Sequence, residues 1–434
     1  MKWCVVIFSL CLPSTSLAGP LPAPNPKFLE TDMASVELGR LLFYDPILSG
    51  NKTVSCATCH HPRYGTGDGL SLGVGDGGLG LGFERVIDPN NPPQQRISRN
   101  APALFNLGAS EFKHLFHDGR LEEDPTHISG IRTPLGAEME TGFESVLAAQ
   151  AMFTVLSSDE MAGHHSENDV AEALRRGLVT GPGGAWDILA KRVEIIPAYR
   201  KSFNVVLPEN APIHFHDIAN ALADFIRFEW RADNSPFDRF LQTGASLPHA
   251  ASKGMELFYG KAQCDRCHSG LFQTDHSFHA IAMPQIGPGK AALLGQRNRD
   301  VGRMLVTGDS QDAYKFRTPS LRNLLETGPY GHAGAFATIE SVVRHHLDPI
   351  ASLRAYDSRQ ALLLPPHDVS DFALLADMSE MNLIASANEL TPMTLSDQEI
   401  DQILAFLRSL HDQGNAESRL GVPSTVPSGL PVEK

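Results

Sequence analysis

Cys56-Ala57-Thr58-Cys59-His60 and Cys264-Asp265-Arg266-Cys267-His268 are two copies of one motif, C-x-x-C-H. In an exported protein this spacing is the attachment signature of c-type haem. Two thiols two residues apart reach the two vinyl groups of one porphyrin, and the following His ligates the iron. Zinc would want the two C-x-x-C pairs close in sequence, and they are far apart. A redox disulfide would not need the trailing His twice. The motifs therefore predict two covalent haems, held by Cys56, Cys59, Cys264 and Cys267, with His60 and His268 as proximal iron ligands.

The remaining two of six Cys lie at the N-terminus. Lys2, an apolar run from Val5 to Leu12, and Ser16-Leu17-Ala18 make a signal peptide over residues 1–18, whose cleavage removes Cys4 and Cys11. Leu10 is too large for the small residue that precedes a lipoprotein Cys, so Cys11 is not a lipid anchor. No later stretch approaches 20 apolar residues, so membrane insertion is not expected. The expected location is the periplasm. The 434 residues are 42% hydrophobic and 20% charged, an ordinary globular composition. A net charge of −14, from 36 basic and 50 acidic residues, argues against nucleic acid and anionic membrane as partners.

Gly39-Arg40-Leu41-Leu42-Phe43-Tyr44 and Gly254-Met255-Glu256-Leu257-Phe258-Tyr259 form a weak internal repeat, each on a helix that leads into a haem loop. Ser396 and Glu399 make a capping box, and after them Ile400, Ile403, Leu404, Leu407 and Leu410 recur at helical spacing. A helix of this kind packing near the first is what a cytochrome-c-like domain needs. Further helices are expected over 215–229 and 338–347, and few strands. Residues 64–100, rich in Gly, Pro and Asn, predict a long loop over the first haem. Pro423, Pro427 and Pro431 among small polar residues predict a disordered tail over 412–434. The expected fold is mainly α: two cytochrome-c-like haem domains in tandem with long loops, 19–245 and 246–411.

Further motifs lie in order between and around these. They run from Glu37-Leu38-Gly39-Arg40 through Arg99-Asn100-Ala101-Pro102, Asp118-Gly119-Arg120 and Ser235-Pro236-Phe237-Asp238-Arg239. After the second haem motif come Phe316-Arg317-Thr318-Pro319-Ser320-Leu321-Arg322-Asn323 and Gly328-Pro329-Tyr330. In these the chain resembles, over about residues 35–410, the bacterial di-haem cytochrome c peroxidases and their MauG-like branch.

The resemblance implies a peroxidatic first haem, an electron-transfer second haem and a calcium ion between them. It places Gln150 and Glu160 at the distal side of the first haem as catalytic groups; a carboxylate there can move both peroxide protons. Thr154 stands where the family has Pro. Glu138-Met139 is a competing pair without an upstream Gln. In ordinary family members a His on the Gly-rich loop blocks the first iron until the other haem is reduced. Here Asp76 falls at that position, with His114, His117 and His127 as the other His able to fill the site. For the second haem's sixth ligand the matching position is His346, with His345 as the alternative; Met283, Met304, Met378 and Met381 are the others. His/Met ligation would raise the potential relative to bis-His. His117 replaces the family's Trp between the haems, and imidazole is harder to oxidise than indole. Trp186 and Trp230 are expected to be packing residues. Calcium would be held by Asn100 and by carbonyls near Arg317 and Pro319.

The implied activity is that of a periplasmic di-haem peroxidase. It would reduce hydrogen peroxide with electrons from a small donor protein, a c-type cytochrome or a cupredoxin, passed through the second haem. A MauG-like enzyme oxidising a partner protein's side chains is the first alternative. A non-enzymatic electron carrier is the second.

Overall fold

The computed structural model describes residues 20–164, 167–290, 299–366, 369–416 and 419–434; the expected signal peptide, 1–18, lies outside them. Helices dominate, and the strands are two- and three-residue pieces. Six helices position the sites: α1 (Met33–Phe43), α2 (Val146–Thr154), α3 (Phe215–Glu229), α4 (His249–Phe258), α5 (Ile339–Leu347) and α6 (Asp397–Ser409). Their starts are set by local chemistry. Asp32, Ser145, Thr338 and Ser396 each accept a backbone N–H of the first turn. Ser396 and Glu399 form the expected capping box, with Glu399 accepting the Ser396 N–H at 2.9 Å.

Two helix pairs carry the weak repeat. A Cβ on Gly39 would overlap the Ala221 carbonyl of α3, and one on Gly254 would overlap the Gln402 carbonyl of α6. The missing side chain lets each pair of helices touch backbone to backbone. Four residues further on, Phe225 and Phe406 pack on Phe43 (5.3 Å between ring centroids) and Phe258 (5.1 Å). The α1–α3 pair sits in a large core that also takes in Trp186 and Trp230, both fully buried as packing residues. The α4–α6 pair organises a second core, from Phe237 to Leu410.

Residues 64–100 form the expected long loop, interrupted by a hairpin of β1 (Gly78–Leu79) and β2 (Val86–Ile87). A three-stranded sheet of β3 (His114–Leu115), β4 (Leu121–Glu123) and β5 (Ile131–Arg132) belongs to the first half. β6 (Phe278–His279) pairs with β7 (Phe316–Arg317) in the second.

The tail corrects the expectation of disorder over 412–434. Residues 419–434 run back across the first half as an ordered strap. Leu420, Val422, Val426, Leu430 and Val432 pack on the first core. Glu229 accepts the Leu420 and Gly421 N–H groups, Arg40 donates to the Gly421 carbonyl (2.8 Å), and the Ser428 hydroxyl donates to Asp45 (2.6 Å). Proline and small polar residues forbid helix and ladder, but not packing of the apolar residues set among them. The prolines also reduce the entropy lost when the strap docks.

Candidate active site

Cys56–Cys59 form a single helical turn, and Thr66, just beyond it, fixes the histidine. The Thr66 carbonyl lies 2.8 Å from His60 Nδ1. A carbonyl only accepts, so Nδ1 carries the proton and Nε2 keeps its lone pair. The second motif repeats the device, with His268 Nδ1 3.0 Å from the Gln273 carbonyl. Burial holds both rings neutral, His268 down to about 4. No disulfide joins the four motif cysteines, and burial pushes the Cys56 and Cys264 thiols each up to about 12. Neutral imidazoles and paired thiols are the donor set a c-type haem requires.

The surroundings of the two histidines differ. At the second motif, the His346 ring centroid lies 6.3 Å from that of His268. Two imidazoles on opposite sides of one metal, with bonds of roughly 2 Å, set their centroids about 6 Å apart. His346 donates from Nδ1 to the Val342 carbonyl (2.7 Å) and so keeps Nε2 available. His345, one residue earlier, is committed elsewhere. Its Nε2 lies 2.8 Å from the Ile281 carbonyl and its Nδ1 3.0 Å from the Ser352 hydroxyl. Donation to the carbonyl puts the proton on Nε2 and leaves Nδ1 to the hydroxyl.

At the first motif, Cys56, Cys59 and His60 line a cavity. The same cavity is lined by Gln150 and Thr154 from α2, by Glu160, and by Asn100, His117 and Arg120. Gln150 Oε1 is buried without a hydrogen-bond partner. Glu160 sits in a π-helical turn, Ser158–Ala162, a distortion frequent at functional sites. Asp76, which the resemblance puts where a blocking His is expected, has a different task. Its N–H donates to the Glu160 carbonyl (3.1 Å), and its carboxylate accepts from Asn51 (3.0 Å), Thr53 (3.2 Å) and Asn91 (3.1 Å). The loop thus braces the turn that carries Glu160. His114 pairs with Glu122 (3.0 Å) and His127 with Asp124 (3.6 Å), both away from the cavity lining. Among the described residues, His117 is the one histidine besides His60 that lines it. Glu138 does not line it.

Two cavity residues escape a reading of the sequence. Lys290, from the second half, lines the first cavity, where burial and Arg120 lower its pKa and Glu160 opposes them. Asp68 lines it too, its carboxyl raised to about 7 by burial. Lys290 stands in no motif, and Asp68-Gly69-Leu70 matches the Gly-rich loop of the resemblance without marking Asp68 as a cavity residue; tertiary folding brings both in.

A buried ion cluster joins the halves. Arg99 donates to Asp118 (2.7 Å) and, through two nitrogens, to Asp300 (2.6 and 2.8 Å). The Arg317 N–H donates to the His117 carbonyl at 2.8 Å. Asn100 donates its side-chain amide to the Leu70 carbonyl (2.7 Å), which leaves its own oxygen over. The Arg317 side chain makes no ion pair among the described residues, and burial lowers its pKa to about 10.

The chain is similar to known proteins. Residues 33–246 match the family model of the di-haem cytochrome c peroxidases. The chain is 30% identical over 332 residues to the methylamine utilization protein MauG of Methylorubrum extorquens, covering 76% of this chain and 72% of that protein. It is 28% identical over 340 residues to cytochrome-c peroxidase IdrP2 of Pseudomonas sp., covering 74% and 75%. A crystal structure of a MauG-like protein associated with microbial copper homeostasis superposes with a TM-score of 0.57 at 26% identity, covering 94% of this chain and 97% of that one. The chain is an oxidoreductase and belongs to the di-haem cytochrome c peroxidase family, which includes the MauG proteins.

Proposed function

We propose that the chain is an exported peroxidase built as two haem units, 19–245 and 246–411, acting in the periplasm. Hydrogen peroxide is reduced at the first haem with electrons from a small redox protein that enter through the second. Cys56, Cys59 and His60 hold the first haem; Cys264, Cys267, His268 and His346 hold the second. The observation that carries the reading is the contrast between the histidines. His268 has His346 at the spacing of a shared metal, whereas His60 shares its cavity with Gln150 and Glu160.

The bound haem supplies the redox chemistry of O–O cleavage. The chain's own part is proton handling. Glu160 takes the proton from the inner peroxide oxygen and returns it to the outer oxygen, which leaves as water. Gln150 Oε1, buried and unpartnered, accepts a hydrogen bond from the peroxide and orients it. The braced loop keeps the Glu160 turn in place. A calcium ion between the haems would take the Asn100 oxygen and carbonyls near Arg317 and Pro319; the Arg317 guanidinium, which donates to the Phe116 and Thr318 carbonyls and has no carboxylate partner among the described residues, weakens such a site, and calcium chelation tests it.

Asp76 in place of a blocking His also favours the second reading, a MauG-like oxidase of protein side chains. His117 in place of Trp counts against it. No helix among the described residues is long and apolar enough to cross a membrane.

The test is to mix fully ferric protein with stoichiometric peroxide and monitor the Soret band. Reaction without prior reduction is expected. A ferric form that stays silent until half-reduced, and that His117→Ala activates, would show that His117 blocks the iron. Two six-coordinate haems inert to peroxide would leave only electron carriage.

A further inference from the structure

The strap ends in a contact that its other anchors do not require. Glu433 accepts the hydroxyl of Thr58, the residue between Ala57 and Cys59 in the first motif. The same carboxylate lies 3.5 Å from Arg85 Nη1. Arg85 is buried on the loop over the first haem, where it donates to the Val74 and Gly75 carbonyls, both at 2.6 Å. Gly75 in turn packs on the Asp159 and Glu160 carbonyls, so tightly that a Cβ would not fit. One carboxylate therefore ties together the cysteine-bearing turn, the loop that braces Glu160, and the strap.

The strap is already held by Glu229 at its start and Asp45 in its middle. Glu433 adds a negative charge, mostly sheltered from solvent, against the backbone turn between the two cysteines. Charge near a haem favours the oxidation state of opposite sign, and the effect is larger where water is excluded. We propose that Glu433 is a positioning residue of the first haem. It sets that haem's potential low through the Thr58 turn, and it clamps the Arg85 loop against the turn that carries Glu160. The proposal rests on the assignment of Cys56, Cys59 and His60 to the first haem. It needs no change in the second.

The test uses full-length holoprotein in a redox titration that resolves the two haems by absorbance and electron paramagnetic resonance. Glu433→Gln still accepts the Thr58 hydroxyl but carries no charge. It should raise the first haem's midpoint, so that at a fixed potential the ferrous-to-ferric ratio rises about tenfold, about 59 mV for one electron. The second haem's midpoint should stay in place. Ser428→Ala, which loosens the strap at Asp45 without touching charge near the haem, should move neither. If Glu433→Gln folds poorly, removal of Glu433 and Lys434 with the strap kept to Val432 should give the same rise. A first-haem ratio within about twofold of wild type in the charge-removing variants overturns the proposal. So does a shift in Ser428→Ala as large as that in Glu433→Gln, since packing alone would then account for it. A haem count separates this from failure of the underlying assignment: one haem per wild-type chain, with Cys56 and Cys59 free, would remove the first haem itself.

Discussion

Gly39 against Ala221 in one half and Gly254 against Gln402 in the other are the same helix contact built twice, down to the Phe four residues beyond each carbonyl. Each half also aims its motif histidine with a carbonyl on Nδ1, from Thr66 or Gln273. The scaffolds match, yet the second half sets an imidazole against its histidine while the first sets an amide and a carboxylate around a cavity. The two proposed haem sites are thus distinguished by segments added to a shared core, and not by the core itself. A long helix-and-loop insertion between α1 and α3 furnishes Gln150 and Glu160, and a single helix, α5, furnishes His346.

The comparison breaks most visibly if the halves do not bind haem independently. Cys56→Ala with Cys59→Ala should leave one covalent haem per denatured chain, and the corresponding pair at Cys264 and Cys267 should leave the other. Haem extracted by acid–acetone from wild type would defeat the covalent assignment. Next, His346→Ala should convert the second haem from low to high spin without touching the first, while His345→Ala should leave the spin state and lower stability instead. Loss of the low-spin signal in His345→Ala alone would move the ligand by one residue. On the first half, Glu160→Gln keeps size but removes the proton acceptor. Peroxide cleavage should slow by roughly 10²–10⁴-fold, the usual worth of general acid–base help, with both haems retained. A rate within about twofold of wild type would remove Glu160 from the mechanism.

Smaller effects test the shared scaffold. Gly39→Ala and Gly254→Ala should each destabilise by about 1–3 kcal/mol or somewhat more, as overpacking does, and by similar amounts in denaturant unfolding. A large cost at one glycine and none at the other would show that the two helix pairs are not equivalent. The gentlest effect is a slope. Burial lowers the His345 pKa to about 3, so the folded ring stays neutral where the unfolded one is already protonated. The unfolded chain therefore binds the extra proton first, and stability should fall as pH drops from about 6.5 toward 3, by at most roughly 1.4 kcal/mol per pH unit. His345→Asn should flatten that slope in pH-dependent unfolding.

Much of this was legible in the residues themselves. The C-x-x-C-H spacing announces its own chemistry, and the helices over 215–229 and 397–409 show in apolar periodicity and caps. The hidden part depends on contacts far apart in the chain. The repeat was visible in α1 and α4, where Gly, Phe and Tyr recur. Its other half was not, because α3 and α6 share little more than the Phe at 225 and 406. His345 and His346 differ by about 100° around a helix, and only the residues packed on each side, Ile281 and Ser352 against His268, tell them apart. Lys290 reaches the first cavity from the other half. The strap looked disordered because its prolines signal missing secondary structure, whereas Val426 and its neighbours signal burial only once a surface exists to receive them.

The strap also sets how far the chain must reach to close its first site. Thr58 and Glu433 are 375 residues apart. The first cysteine turn therefore gains this wall only through a contact that spans most of the described chain, with the loop-closure cost that such a span carries. The second turn's surroundings close over a shorter span: Lys261 and Glu399, which join the segment before that turn to α6, are 138 residues apart. Enclosure of the first cysteines thus rests on the longer-range contact, and docking of the strap is the step that shuts this turn off from whatever reaches its thiols.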